Sequence, residues 1–243
     1  MTTLPRTLEP EVMDSAAEAR EYDAMDLADV NSAFITDLLS VLDEIADNSG
    51  GRAPANRITL LDAGTGTARI PLELARRADQ VEITAIDVSA RMLEVGEAHI
   101  ERAGLFNRVR LLIADCKSLP FLDDSFDAVV SNSLIHHLPR PREALAEFVR
   151  VLRPTGHLFL RDLVRPESIS GVDELVARHA RGESPRARAL FRDSLHAALT
   201  LAEIRDLLED LNLPRQAARL SSDRHWTVCI PAVDHRSSAD RSA

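Results

Sequence analysis

The residues best placed to do chemistry are three aspartates that each follow a short apolar run, Asp62, Asp87 and Asp115, and the two glycines Gly64 and Gly66 in L-L-D-A-G-T-G-T-A-R, Leu60 to Arg69. Glycine lacks a Cβ, so such a turn can adopt backbone angles other residues avoid and let a ligand lie against the main chain. Apolar residues then recur at helical spacing at Ile70, Leu74 and Ala75, and the first turn of a helix offers unpaired N–H groups to polar or anionic ligand atoms. Asp87 opens Asp87-Val88-Ser89 about 20 residues beyond the turn, where a carboxylate accepts hydrogen bonds from both hydroxyls of a ribose. Strand, glycine turn, helix and acidic strand end predict a nucleoside-bearing cofactor. The dinucleotide fingerprint G-x-G-x-x-G would require a third glycine at position 69, which is Arg69.

Later apolar runs end in polar groups in the same way. Asp115-Cys116 follows V-R-L-L-I-A and precedes S-L-P-F, F-D-A-V-V-S ends at Ser131 before Asn132, and N-S-L-I-H-H-L carries His136 and His137. The glycine turn fits D-x-G-x-G-x-G with Ala68 in the third glycine position, and L-R-P-T-G-H-L fits L-x-P-G-G-x-L with Thr155 replacing a glycine. From about Leu60 to Leu163 these motifs resemble the class I S-adenosylmethionine (SAM) dependent methyltransferases, most closely the small-molecule enzymes that include those of quinone biosynthesis, without pointing to one acceptor.

The resemblance implies SAM as cofactor, held by Tyr22, Asp62, Gly64, Gly66, Asp87, Val88, Asp115, Cys116, Ser131 and Asn132. In it Asp115 accepts from the adenine amino group, the Cys116 N–H meets a ring nitrogen, the strand end at Ser131 lines the sulfonium side, and Tyr22 touches the methionine end. Transfer would be to O, N or C of a small molecule. His137 is a candidate general base or a structural histidine bonded to backbone, and Asp162, at a strand end, is a candidate to orient an acceptor hydroxyl or amine. His136, Arg161, His196 and His225 are the other polar candidates on the acceptor side, and no metal is implied.

The elements that must position these groups read as an α/β fold. Ile58–Leu61, Val81–Ile86, Val109–Ala114, Phe126–Ser131 and His157–Leu160 predict five strands alternating with helices, Ser89 caps the second helix, and Pro141 opens another. Arg153-Pro154-Thr155-Gly156 should end that helix, and Thr200 to Glu203 form a capping box. Ala217–Leu220 and Trp226–Ile230 supply the last two strands. By resemblance this is a Rossmann-like sandwich, a mostly parallel seven-stranded sheet with an antiparallel last strand and helices on both faces. Residues 1–56 form an N-terminal segment closing over the cofactor, with little periodicity before about residue 20 and a helix capped by Asn31 whose Phe34, Leu38, Leu42 and Ile45 share a face. Residues 47–56 read as loop, 57–163 as the SAM-binding core, 164–199 as a helical lid or acceptor insertion, 200–233 as the rest of the core, and 234–243 as a flexible tail.

Composition narrows the partners. Of 243 residues 45% are hydrophobic, enough for a sizeable core. Twenty-nine basic against 39 acidic residues give a net charge of -10, which opposes binding to nucleic acid. A cluster of Arg178, Arg181, Arg186, Arg188 and Arg192 is interleaved with Asp173, Glu174, Glu183 and Asp193 and reads as a solvated face. No secretory signal and no run of ~20 apolar residues is seen. Two cysteines, Cys116 and Cys229, read as buried thiols in a reducing compartment, so a cytoplasmic monomer or homodimer is expected. A nicotinamide-dependent oxidoreductase is disfavoured by Arg69 and the Asp115 motif, and a SAM-binding regulatory module that has lost chemistry is the alternative of another class.

Overall fold

The structure, a computed structural model, describes residues 4–9, 15–25, 27–48 and 57–231. The apolar and β-branched runs form strands β1 (Ile58–Ala63), β2 (Val81–Asp87), β3 (Val109–Ile113), β4 (Phe126–Asn132), β5 (Leu152–Leu163), β6 (Ala218–Leu220) and β7 (His225–Ile230). They make one sheet in the order β3-β2-β1-β4-β5-β7-β6. The β3–β2, β2–β1 and β1–β4 pairs are parallel and β6–β7 is antiparallel, as expected. Strand order reverses between β1 and β4, the place where open α/β sheets bind ligands at their carboxyl ends.

The helices are α1 (Ala16–Asp23), α2 (Ala28–Asn48), α3 (Arg69–Arg77), α4 (Ala90–Ala103), α5 (Pro141–Val151), α6 (Ile169–His179), α7 (Pro185–Ala197) and α8 (Leu201–Asp210), with 3-10 turns at Ile135–His137 and Arg215–Ala217. Ser89 caps α4 by accepting from Met92 N–H, and Thr200 and Glu203 form the predicted capping box of α8. The chain divides into two compact units. One comprises Met1–Glu11, Ser133–Pro141 and Arg161–Val228, the other Val12–Asn132, Arg142–Leu160 and Cys229–Ala243. In the larger unit Phe34, Leu38 and Leu42 of α2 pack with Leu60, Ile83, Val130 and Phe159 of the strands, and the Phe34 and Phe159 rings meet at 5.1 Å. The smaller unit has its own core, in which Val172, Leu175 and Val176 of α6 meet Leu195 of α7 and Leu163 of β5.

Four expectations change. Ser15 and Glu18 form a capping box that starts α1 in a stretch read as aperiodic; S-A-A-E carried that signal. Asn31 lies inside α2, its N–H bonded to Leu27 O at 2.9 Å, because apolar spacing marks a helix face and not its end. Residues 152–156 extend β5 where a turn was expected. Arg153 binds Asp127 and the Asp124 carbonyl, and a side chain at Gly156 would meet Asp127 O at 2.9 Å, so this backbone runs tight against β4. Residues 114–125, between β3 and β4, contain no helix.

The loop expected over 47–56 lies outside the described residues except for its first two, which belong to α2, and the 234–243 tail lies outside entirely. Arg178 pairs with Asp223 and Arg192 with Asp173, as a solvated charged face would. Cys116 is buried and Cys229 only partly so; neither forms a disulfide. No described helix is long and apolar enough to cross a membrane.

Candidate active site

After β1 the chain turns through Gly64 (φ 73°), Gly66 (φ 56°) and Ala68 (φ 59°) into α3. The two glycines take these left-handed angles without steric penalty, whereas Ala68 does so at a cost of roughly 1–2 kcal/mol. Gly64 and Thr65 N–H groups donate to Ile86 O, both at 2.9 Å, which ties the turn to the end of β2. Asp87 completes the tie. Its Oδ2 accepts from Gly66 N–H at 2.8 Å and its Oδ1 from Ser89 N–H at 2.9 Å.

Asp62, the last residue but one of β1, is 3% exposed, and its Oδ2 is buried without a hydrogen-bond partner. Burial pushes its carboxyl up to about 7, with the Thr65 hydroxyl opposing and the Asp87 charge adding to the rise. Tyr22, in α1, lies against the turn: a Cβ at Gly66 would stand 3.4 Å from its Cε1. Burial first, then the charges of Asp87, Asp62 and Asp23, raise the Tyr22 phenol to about 12. At the end of β4, Ser131 Oγ donates to Ala63 O at 2.8 Å, and Asn132 Oδ1 is a second buried acceptor with no partner. Beyond β2 the Val88 side chain is 41% exposed. Asp115 follows β3 and accepts from Lys117 N–H at 2.9 Å and Lys117 Nζ at 3.1 Å; these contacts outweigh burial and hold it below the usual carboxylate range.

The supporting roles of four residues were not read from the sequence. Gly96 lets α4 touch the turn, because a Cβ there would lie 3.0 Å from Ala68 Cβ and 3.2 Å from the Thr67 carbonyl carbon. His99, one turn further, places Nδ1 3.2 Å from Thr67 O and Nε2 3.3 Å from Asp23. Arg69 Nε donates to Asp23 at 2.8 Å, so Asp23 clamps α1 onto the glycine turn. A glycine inside a helix costs about 1 kcal/mol relative to alanine, and Gly96 was legible as a close approach on that ground.

The smaller unit holds the remaining candidates. Asp162 Oδ1 accepts from His136 Nδ1 at 2.5 Å and from Leu163 N–H at 2.6 Å, and its Oδ2 from His136 N–H at 3.1 Å, so this buried carboxylate holds His136 in place. Against burial, the Asp162 charge and hydrogen bond and the Glu9 charge raise the His136 pKa. His137 faces Glu9 Oε1 at 3.1 Å through its ring. Burial and the His136 charge lower its pKa. His225 pairs with Ser222 Oγ at 2.9 Å and is pushed down to about 4, chiefly by burial and then by Arg224. Arg161 donates to Thr227 Oγ1 at 2.9 Å, and the His196 carbonyl accepts from Thr7 N–H at 3.1 Å.

A family model described as "Methyltransferase domain" matches residues 61–160. The chain is 35% identical over 118 residues to a ubiquinone/menaquinone biosynthesis C-methyltransferase of Geotalea daltonii, covering 48% of this chain and 49% of that protein. It is 30% identical over 153 residues to the O-methyltransferase rstn1 of Aspergillus nomiae, covering 60% of this chain and 68% of that one. The chain belongs to the class I SAM-dependent methyltransferases. The methyltransferase spans about half the length of the bacterial quinone-biosynthesis relatives it matches. In fold it is similar to the crystal structure of a SAM-dependent methyltransferase from Aquifex aeolicus, TM-score 0.57 at 19% identity, covering 89% of this chain and 98% of the other.

Proposed function

We propose that this methyltransferase moves a methyl group from SAM to O, N or C of a small-molecule acceptor. The observation that carries the reading is Asp62, a buried carboxylate with an unpartnered oxygen and a pKa raised to about 7, set beside Asp87 at the mouth of a left-handed glycine turn. Such a pair favours a cationic, hydrogen-bonding ligand next to it. SAM has an ammonium, a ribose and an adenine, and the residues present fit it.

Asp62 would hold the ammonium, Asp87 the ribose hydroxyls, Val88 a face of the adenine, and Asp115 with the Cys116 N–H its edge. Gly64 and Gly66 give the ligand access to the main chain, Asn132 offers its orphaned Oδ1, and Ser131 fixes the end of β4 on β1. Tyr22, clamped through Asp23, covers the turn. SAM supplies an activated methyl on a sulfonium; the chain's contribution is alignment of an acceptor in line with the S–CH3 bond and exclusion of water. Asp162 acts as a positioning residue for His136, and His137 is the more exposed imidazole of that pair. Of the N-terminal segment, α1, whose Tyr22 lies against Gly66, serves to close over the cofactor, while Met1–Glu11 belong to the smaller unit; residues 164–199 serve as the acceptor-side insertion. The thiols Cys116 and Cys229 fit a reducing, cytoplasmic compartment.

Calorimetric titration with SAM, its demethylated product and NAD tests the assignment. Micromolar binding of the first two, weakened about 10- to 100-fold in Asp87→Asn through loss of charge-assisted hydrogen bonds, is expected. NAD binding without SAM binding would overturn it. SAM binding with no transfer to any acceptor in a broad small-molecule screen would favour the regulatory module.

A further inference from the structure

Glu9, His136 and His137 come together within the smaller unit, and none is accounted for by SAM binding. The two histidines are consecutive on the 3-10 turn, yet their rings stack with centroids 4.1 Å apart and planes tilted by 35°. In that arrangement His136 Nε2 lies 3.4 Å and His137 Nδ1 3.1 Å from the same oxygen, Oε1 of Glu9. The potential ligand atoms all lie within 4.8 Å of one another. The side chains are 4%, 19% and 8% exposed for His136, His137 and Glu9, so water does little to separate them.

The surroundings fix the donors. Asp162 accepts from His136 Nδ1, which fixes a proton there and leaves Nε2 as the ring nitrogen turned toward Glu9. Two ring nitrogens converging on one carboxylate oxygen in a buried place make a seat for a cation, which takes the position a proton holds when His136 is charged. A carboxylate behind a ligating imidazole is the recurrent way proteins orient such a ligand. Arg6 donates to the carbonyls of His136, Leu138 and Ala197 at 3.0, 3.0 and 2.6 Å, and Ser194 Oγ donates to Glu9, so both the histidine turn and the segment bearing Glu9 are held. We infer that Glu9, His136 and His137 form a binding site for one divalent transition-metal ion of the zinc or cobalt type, with Asp162 orienting His136. Two imidazoles and one carboxylate suit borderline ions and leave at least one position for water or another ligand.

The test uses the untagged full chain, stripped with EDTA and dialysed. It is titrated with Zn2+ in competition with a chromophoric chelator and with Co2+ by visible absorption. One equivalent should bind, Co2+ should develop ligand-field bands, and Glu9→Gln and His137→Ala should each weaken binding at least tenfold. His179→Ala, which removes an imidazole paired with Asp223 on the surface, should leave it unchanged. Should either ligand variant misfold by circular dichroism, loss or shift of the His136 and His137 imidazole NMR signals on adding Co2+ to the native chain decides instead. Absence of saturable binding, equal affinity in the ligand variants, or unperturbed His136 and His137 signals would each overturn the site.

Discussion

An ionised Asp62 is costly in the ligand-free protein, because burial strips its water and Asp87 sets a second negative charge beside it. Its folded-state pKa of about 7 lies above the ordinary carboxylate value, so between the two the folded chain binds more protons than the unfolded one. Stability from this group is therefore fully present at low pH and is lost as pH rises through 7. A cation placed against Asp62 reverses the preference and expels the proton. Calorimetry near pH 6.5 in buffers of different ionisation enthalpy should thus show up to one proton released per SAM bound. Asp62→Asn should abolish that release, weaken SAM roughly 10- to 100-fold, and raise the melting temperature of the ligand-free protein at pH 8. Heats independent of buffer would remove Asp62 from the ammonium site. Asp62, Gly64, Gly66 and Asp87 were legible in the sequence because their roles follow from local backbone and strand-end position. Asp23, His99 and Glu9 were not, since each acquires its role from a partner far along the chain.

Helix α4 is a buttress as much as a connection. Alanine at Gly96 would gain about 1 kcal/mol of helix propensity, but its Cβ would press on Ala68 Cβ and the Thr67 backbone, which cannot move without moving the turn. Overpacking of about 1–3 kcal/mol wins. Gly96→Ala should lower the melting temperature and weaken SAM binding together, and unchanged affinity would show that the turn adapts. In the smaller unit, Arg6→Ala removes guanidinium bonds to carbonyls of His136, Leu138 and Ala197. A loss of about 2–3 kcal/mol is expected, with faster hydrogen exchange at Thr7, whose N–H bonds His196 O. At this scale the strands, the Ser89 cap and the Thr200 box were readable from period and cap chemistry. The start of β5 was not, because R-P-T-G has turn composition, and its extended course along β4, with the Arg153 contacts and the close approach at Gly156, depends on partners far along the chain.

Across the whole chain, alternation of apolar strands and amphipathic helices sufficed to foresee a parallel α/β sheet, whereas its antiparallel end followed only from the resemblance to the methyltransferases. It could not foresee that the smaller unit draws on three separate stretches, Met1–Glu11, Ser133–Pro141 and Arg161–Val228. Pairings such as Arg6 with Ala197 and Glu9 with Ser194 close very long loops, which no periodicity records. They also impose an order on biosynthesis. Arg6 and Glu9 leave the ribosome long before the carbonyl of Ala197 and the hydroxyl of Ser194 exist, so the segment made early is among the last to find its seat. Nascent chains arrested before α7 should be cut by trypsin after Arg6, whereas the finished chain should resist. Anything that slows translation between residues 140 and 197 lengthens the time for which those residues wait without partners, and with it the exposure of the growing chain to proteases and chaperones.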